Sequence, residues 1–150
     1  MAAATKSRTL TGTDTPPSFV LALDPGREKC GLALLRSDGE VLYQAVVRAA
    51  AVRDMVADLL ARHPGTVVIV GDRTGGRDIS RALDQLLQQN TVLVDEHRST
   101  EQGRRRYFRE NPPRGWRRLL PLGLQTPPRP YDDYVAVIIA ERYLESLRPR

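Results

Sequence analysis

A single cysteine, Cys30, excludes a disulfide within the chain, and two histidines leave no Cys/His spacing of the kind that holds zinc. No apolar run approaches the roughly 20 residues of a membrane-spanning helix, and the N-terminus lacks the apolar segment of a secretory signal, so a cytoplasmic address is the default expectation. Cys30 stands beside Gly31, Leu32 and Ala33 and reads as a small, inert, buried residue. Lysine is scarce too: 21 of the 23 basic residues are arginine, at a net charge of +5. Arginine grips phosphate with a bidentate fork that lysine lacks, although codon bias alone can enrich it. What is present, 150 residues that are 41% apolar, suits one globular domain with a real core.

Residues 1–18, rich in Ala, Thr and Ser and carrying Pro16 and Pro17, read as a flexible tail; 19–147 form the domain, and 148–150 a short C-terminal tail. Phe19 to Leu23 is a continuous apolar run, as in a strand buried on both faces. Pro25 and Gly26 break it, Cys30 to Leu35 resumes it, and a turn at Ser37, Asp38 and Gly39 leads into Val41 to Val47. The period then changes. Ala51, Val52, Met55, Val56, Leu59 and Leu60 mark an amphipathic helix closing near His63. Val67 to Val70 is a fourth strand, and Ile79, Ala82, Leu83, Leu86 and Leu87 mark a second helix after a glycine-rich loop at Arg73 to Arg77. Thr91 to Val94 is a fifth strand, Ser99 and Gln102 have capping-box spacing for a third helix, and Asp133 to Leu147 forms the last. Between them, Asn111 to Pro130 reads as a long loop.

Three meandering strands followed by alternating helices and strands assemble as one mixed five-stranded α/β sheet, order 3-2-1-4-5, with helices on both faces. Right-handed crossovers make the first, fourth and fifth strands parallel, so their carboxyl ends share one edge, where open sheets of this kind bind ligands. That edge collects Asp24, Asp72 and Asp95 or Glu96, and Asp132 joins them if the last helix starts there. Two carboxylates about 4 Å apart repel by about 4 kcal/mol at an effective dielectric near 20. Arginines such as Arg27, Arg73 and Arg98 could neutralise them as ordinary ion pairs, and Asp24 could be no more than a turn residue. The alternative is hard divalent cations, Mg2+ or Mn2+, two of which about 4 Å apart activate water in phosphodiester cleavage.

The stretches DPGREKCGLAL from Asp24, VDEHRST from Val94 and YDDYVAVIIAERYL from Tyr131 resemble, in order and spacing, the three signature regions of the YqgF/RuvX family, relatives of the RuvC Holliday-junction resolvases. The resemblance implies an RNase H-like fold and a metal-dependent nuclease. It implies Asp24, Glu96 and Asp132 as catalytic acids and metal ligands, with Asp133 a further ligand or helper. It also implies ribosomal RNA precursor processing or Holliday-junction resolution as settings. The family usually has arginine directly after its second acid, whereas this chain has His97 and then Arg98. His97 is a surface residue, a phosphate contact or a proton donor, and Asp72, in a loop unlike the family's, reads as a turn residue.

Between Arg98 and Arg129 nine arginines face two acids, Glu101 and Glu110, the footprint of a polyanion site. Arg98, Arg104, Arg105, Arg109, Arg114, Arg117 and Arg118 are the expected backbone contacts, although Arg104, Arg105 and Arg106 within one helical turn cannot all face one way. Trp116, Tyr107 and Phe108 could stack on bases or pack the loop onto the domain. No base-reading motif is present, so RNA and branched or single-stranded DNA are both open as partners. A two-fold dimer would suit a junction. The competing reading is a non-catalytic nucleic-acid-binding module on the same fold. An actin-like phosphotransferase, which shares the DxG turn, would need a second domain to enclose its nucleotide.

Overall fold

Phe19–Pro25 (β1) has apolar side chains on both faces and therefore takes the centre of a sheet. The computed structural model describes residues 16–72, 76–87, 91–95 and 97–149. β1 pairs antiparallel with Lys29–Arg36 (β2), which pairs antiparallel with Val41–Arg48 (β3). On its other side β1 runs parallel to Thr66–Gly71 (β4), which runs parallel to Val92–Val94 (β5). The order β3-β2-β1-β4-β5 is the expected one, and β1, β4 and β5 end at one edge.

Helices cover both faces. Leu21, Leu23, Leu32, Leu34, Val68 and Val70 pack against Val52–Arg62 (α1) and Gly76–Leu87 (α2) through Val56, Leu59 and Leu83. Val20, Ala22, Ala33, Leu35 and Ile69 pack against Asp132–Ser146 (α4) through Val135, Ala136, Ile139 and Ala140. Each leucine or isoleucine so enclosed stabilises the fold by about 1.5–3 kcal/mol. α4 is apolar over more than one stripe because Ser99–Glu110 (α3) packs on its outer side. Gly103 of α3 makes that approach possible, since a methyl group there would lie 2.7 Å from Val135 Cγ2 and 2.9 Å from its backbone nitrogen.

Two expectations need correction. Ser99 does not cap α3: the cap position is Arg98, in the left-handed conformation (φ 61°), with no side-chain cap hydrogen bond. The Ser99 hydroxyl is fully buried and instead accepts from Arg142 of α4. Nor is 111–130 irregular throughout, because it contains short 3-10 turns at Gly115–Leu119 and Leu122–Leu124. Gln125 ties them together, its side-chain nitrogen donating to the carbonyls of Arg117 (2.9 Å) and Leu120 (3.0 Å). The tail up to residue 15, the loop positions Arg73, Thr74 and Gly75, and Glu96 lie outside the described residues.

The contact that sets α4 on the sheet is at Gly31. It pairs directly with Asp24, and a side chain there would overlap the backbone carbonyl of Asp132. Gly31→Ala is therefore expected to lower unfolding stability by about 2–3 kcal/mol, the cost of overpacking a closed contact. Urea denaturation checks this, and an unchanged midpoint would contradict the contact.

Candidate active site at the carboxyl edge of the sheet

Side chains alternate along β1: Val20 and Ala22 lie in the layer under α4, so Asp24 lies on that face too, where the strand ends. Directly opposite residues of an antiparallel pair present Cβ positions about 4.5–5.5 Å apart on one face. The Cβ position opposite Asp24 is that of Gly31, and the carbonyl of Asp132 fills it. Asp24 and Asp132, 108 positions apart by their numbering, are thus neighbours over one glycine. Both are half-buried.

Burial, and then the adjacent Asp133 charge, push the Asp132 carboxyl above its ordinary range, and Lys29 only partly offsets them. Among the described residues Asp132 has no hydrogen-bond or ion-pair partner for its carboxylate. Arginine neutralisation, the competing account of the acidic edge, is therefore not what holds Asp132. A carboxylate at the open end of a sheet, partly desolvated and only partly offset by Lys29, offers the hard oxygen donors that suit Mg2+ or Mn2+. Among the described residues no group of three His, Cys, Asp or Glu is placed to hold a metal, and Glu96 lies outside them. Of its chain neighbours, Asp95 is exposed and accepts from the His97 backbone N–H through Oδ1 (2.8 Å), and His97 is exposed. Asp72 follows β4, exposed, with its backbone N–H donating to Val94 (3.0 Å).

Asp133 is placed differently from its neighbour. One helical step, about 100°, turns it toward the protein. It is 4% exposed; Gln44 donates to Oδ2 (2.9 Å), and Arg129 approaches both oxygens at 3.4 Å. Arg129 also lies 5.3 Å from the ring centres of both Tyr107 and Tyr134. Asp133 and Arg129 thus bind β3, the end of the long loop and the α3–α4 aromatic cluster to one another, and Asp133 leaves the proposed ligand set.

The arginines divide in the same way. Arg106 is consumed by Glu110 and Glu141, and Arg105 pairs with Glu101 (2.7 Å). Half-buried Arg104 reaches the carbonyls of Gly123 and Gln125 at 3.5 Å. Arg98, Arg109, Arg114, Arg117 and Arg118 are exposed, and among the described residues no carboxylate pairs with them. Tyr107 and Phe108 are buried together with Tyr134 and cannot stack on bases, whereas Trp116 is 70% exposed with the Arg117 guanidinium 6.0 Å from its ring centre.

Arg142 was not anticipated. From the third turn of α4 it donates to the His97 carbonyl (2.6 Å), the Ser99 hydroxyl (2.9 Å) and Gln102 Oε1 (2.9 Å). It fixes the turn between β5 and α3 to the helix that carries Asp132 at its start. An arginine on a helix face gives no sequence signal of such a role.

No family profile matches the chain, and no curated protein sequence matches it. Solved structures do. The Thermus thermophilus RuvC structure aligns over 86% of this chain and 95% of its own at 17% identity, with a TM-score of 0.52. T. thermophilus RuvC in complex with a Holliday junction substrate aligns over 86% and 92%, also at 17% identity, with a TM-score of 0.54. The fold is RNase H-like. At that identity the likeness to RuvC is one of architecture, covering the mixed sheet and its helical layers. No helix is long and apolar enough to cross a membrane among the described residues.

The raised Asp132 pKa has a measurable sign. Ionising Asp132 costs more in the folded state, so its contribution to stability is most favourable below the ordinary carboxylate pKa and is lost as pH rises through the folded value. With chelator present, Asp132→Asn is therefore expected to raise the melting temperature at pH 7, with the gain vanishing below about pH 4. A variant no more stable than the parent at pH 7 would show that the carboxylate is compensated.

Proposed function

We propose that the chain is a divalent-metal-dependent nuclease of the YqgF/RuvX type that hydrolyses phosphodiester bonds in structured or single-stranded nucleic acid. The supporting observation is the meeting of Asp24 with Asp132 over Gly31, with Asp132 desolvated and unpaired among the described residues. Burying Asp132 beside the charge of Asp133 is unfavourable without a cation, and a fold that retains it gains something other than stability. Glu96 completes the set of acids in this reading. When bound, Mg2+ or Mn2+ would activate a water and stabilise the departing oxygen.

The residues of the chain supply the rest. Asp24 and Asp132 would hold the cations at the sheet edge, and Lys29 moderates the charge of Asp132. Arg142 holds the turn between β5 and α3 against α4. Arg98, Arg109, Arg114, Arg117 and Arg118 track the sugar-phosphate backbone, and Trp116 offers a face for an unpaired base. None of these contacts reads a base edge, so recognition rests on strand shape and charge. The RNase H-like architecture agrees with this chemistry by analogy, since the solved neighbour was captured with a Holliday junction. Ribosomal RNA precursor processing and junction resolution are the two settings this reading admits.

Incubating the purified protein with labelled RNA, single-stranded DNA and four-way junctions tests the proposal, each with magnesium, manganese or chelator. Cleavage is expected only with metal. Asp24→Asn is expected to slow it by about 1,000-fold, equivalent to about 4 kcal/mol of lost transition-state stabilisation, with substrate affinity retained. Binding without cleavage of any substrate by the parent protein would favour the non-catalytic binding module instead.

A further inference from the structure

Among the described residues Arg98 is the only one other than glycine with positive φ, at 61°. A non-glycine residue is held there at a cost that the surroundings must over-determine. Arg142 does so here, gripping the carbonyl of His97 on one side of Arg98 and the hydroxyl of Ser99 on the other. The result is an exposed guanidinium, unpaired among the described residues, at the rim of a cavity of about 460 Å³.

The described lining of this cavity is Arg98, Thr100, Glu101, Arg104, Thr126 and Tyr131. Glu101 is its one acid, and that carboxylate is engaged by Arg105 at 2.7 Å. Arg104 spends one nitrogen on two long contacts of 3.5 Å to loop carbonyls, and a guanidinium has five N–H groups to give. The cavity is therefore cationic, with two forked donors, two hydroxyls and one aromatic ring. Its volume falls within the roughly 300–1,000 Å³ of small-ligand pockets and is several times what a lone phosphate would need. Tyr131 immediately precedes Asp132, so the cavity adjoins the acidic edge along the chain.

We propose that this cavity seats one nucleotide of the bound strand, its phosphate between Arg98 and Arg104 and its sugar and base along Thr100, Thr126 and Tyr131. The assignment rests on the nucleic-acid reading above and deepens it: an individual nucleotide beside the acids sits in an open recess while the rest of the strand is held through its backbone. The shared chemistry is that of a nucleoside 5′-phosphate, whether free or within a strand.

Calorimetry on the full chain in chelator tests this apart from cleavage, using 5′-AMP, adenosine and inorganic phosphate as probes. 5′-AMP is expected to bind at least tenfold more tightly than either adenosine or phosphate. Arg98→Gly deletes the guanidinium while accepting the left-handed backbone, so it keeps the turn, and it should weaken 5′-AMP by at least tenfold, as should Arg104→Ala. Arg62→Ala, on the far helix α1 and paired with Asp58, should change nothing. A single-stranded RNA tetramer should displace 5′-AMP competitively; lack of displacement would overturn assignment of the cavity to the strand. No binding of 5′-AMP, or equal binding by Arg98→Gly, would overturn the proposal outright. Metal-dependent cleavage persisting alongside that failure would leave the nuclease reading standing, and 5′-AMP binding retained by a protein that cuts nothing would do the reverse.

Discussion

The absence of a side chain at Gly31 is the constraint on which the rest depends. A sheet and a helix normally pack about 10 Å apart because side chains fill the gap. Here the first turn of α4 descends until the Asp132 carbonyl occupies the place of a Cβ, and it does so beside the one residue of β1, Asp24, that carries charge on that face. The approach joins two acids from opposite ends of the domain and desolvates one of them. Packing alone would not select such an arrangement, since a neutral residue at Asp132 would satisfy the same contact without the electrostatic penalty.

Holding α4 this close requires fastening on its other sides, and polar groups do much of it. Gly103 lets α3 approach Val135, Arg142 pins the turn before α3, and Arg129 with Asp133 and Gln44 ties the end of the long loop to β3. Four arginines of the basic region, Arg104, Arg105, Arg106 and Arg129, thus have partners within the protein. The positive charge left over is concentrated at Arg98, Arg109 and Arg114 and in the 3-10 turn carrying Arg117 and Arg118. That turn also exposes Leu119 (87%) and, with its successor, Leu124 (79%), so the track is apolar as well as basic.

Strand order and the shared carboxyl edge were legible because they follow from changes of hydrophobic period and from the handedness of crossovers, which act on whole segments. The positions of Asp24 and Asp132 in the fold were legible for the same reason: each stands where a segment starts or stops. Asp133 was not, because one position along a helix changes a residue from edge-facing to sheet-facing, and its partner Gln44 is 89 positions away. Ser99 resembled a cap, yet its hydroxyl serves Arg142, and the helix begins from a left-handed arginine that no composition rule anticipates. The arginine count indicated a polyanion partner but could not say which guanidiniums pair with Glu110, Glu141 or Asp133, since those pairings are made by tertiary contacts.

The claim that Asp24 and Asp132 form the floor of a cation site is met most directly by a crystal grown with manganese and measured near its absorption edge. The account predicts an anomalous peak within ligand distance, about 2.0–2.6 Å, of both carboxylates. A structure whose manganese lies elsewhere, with Asp24 or Asp132 turned away into pairing with a guanidinium, would contradict it.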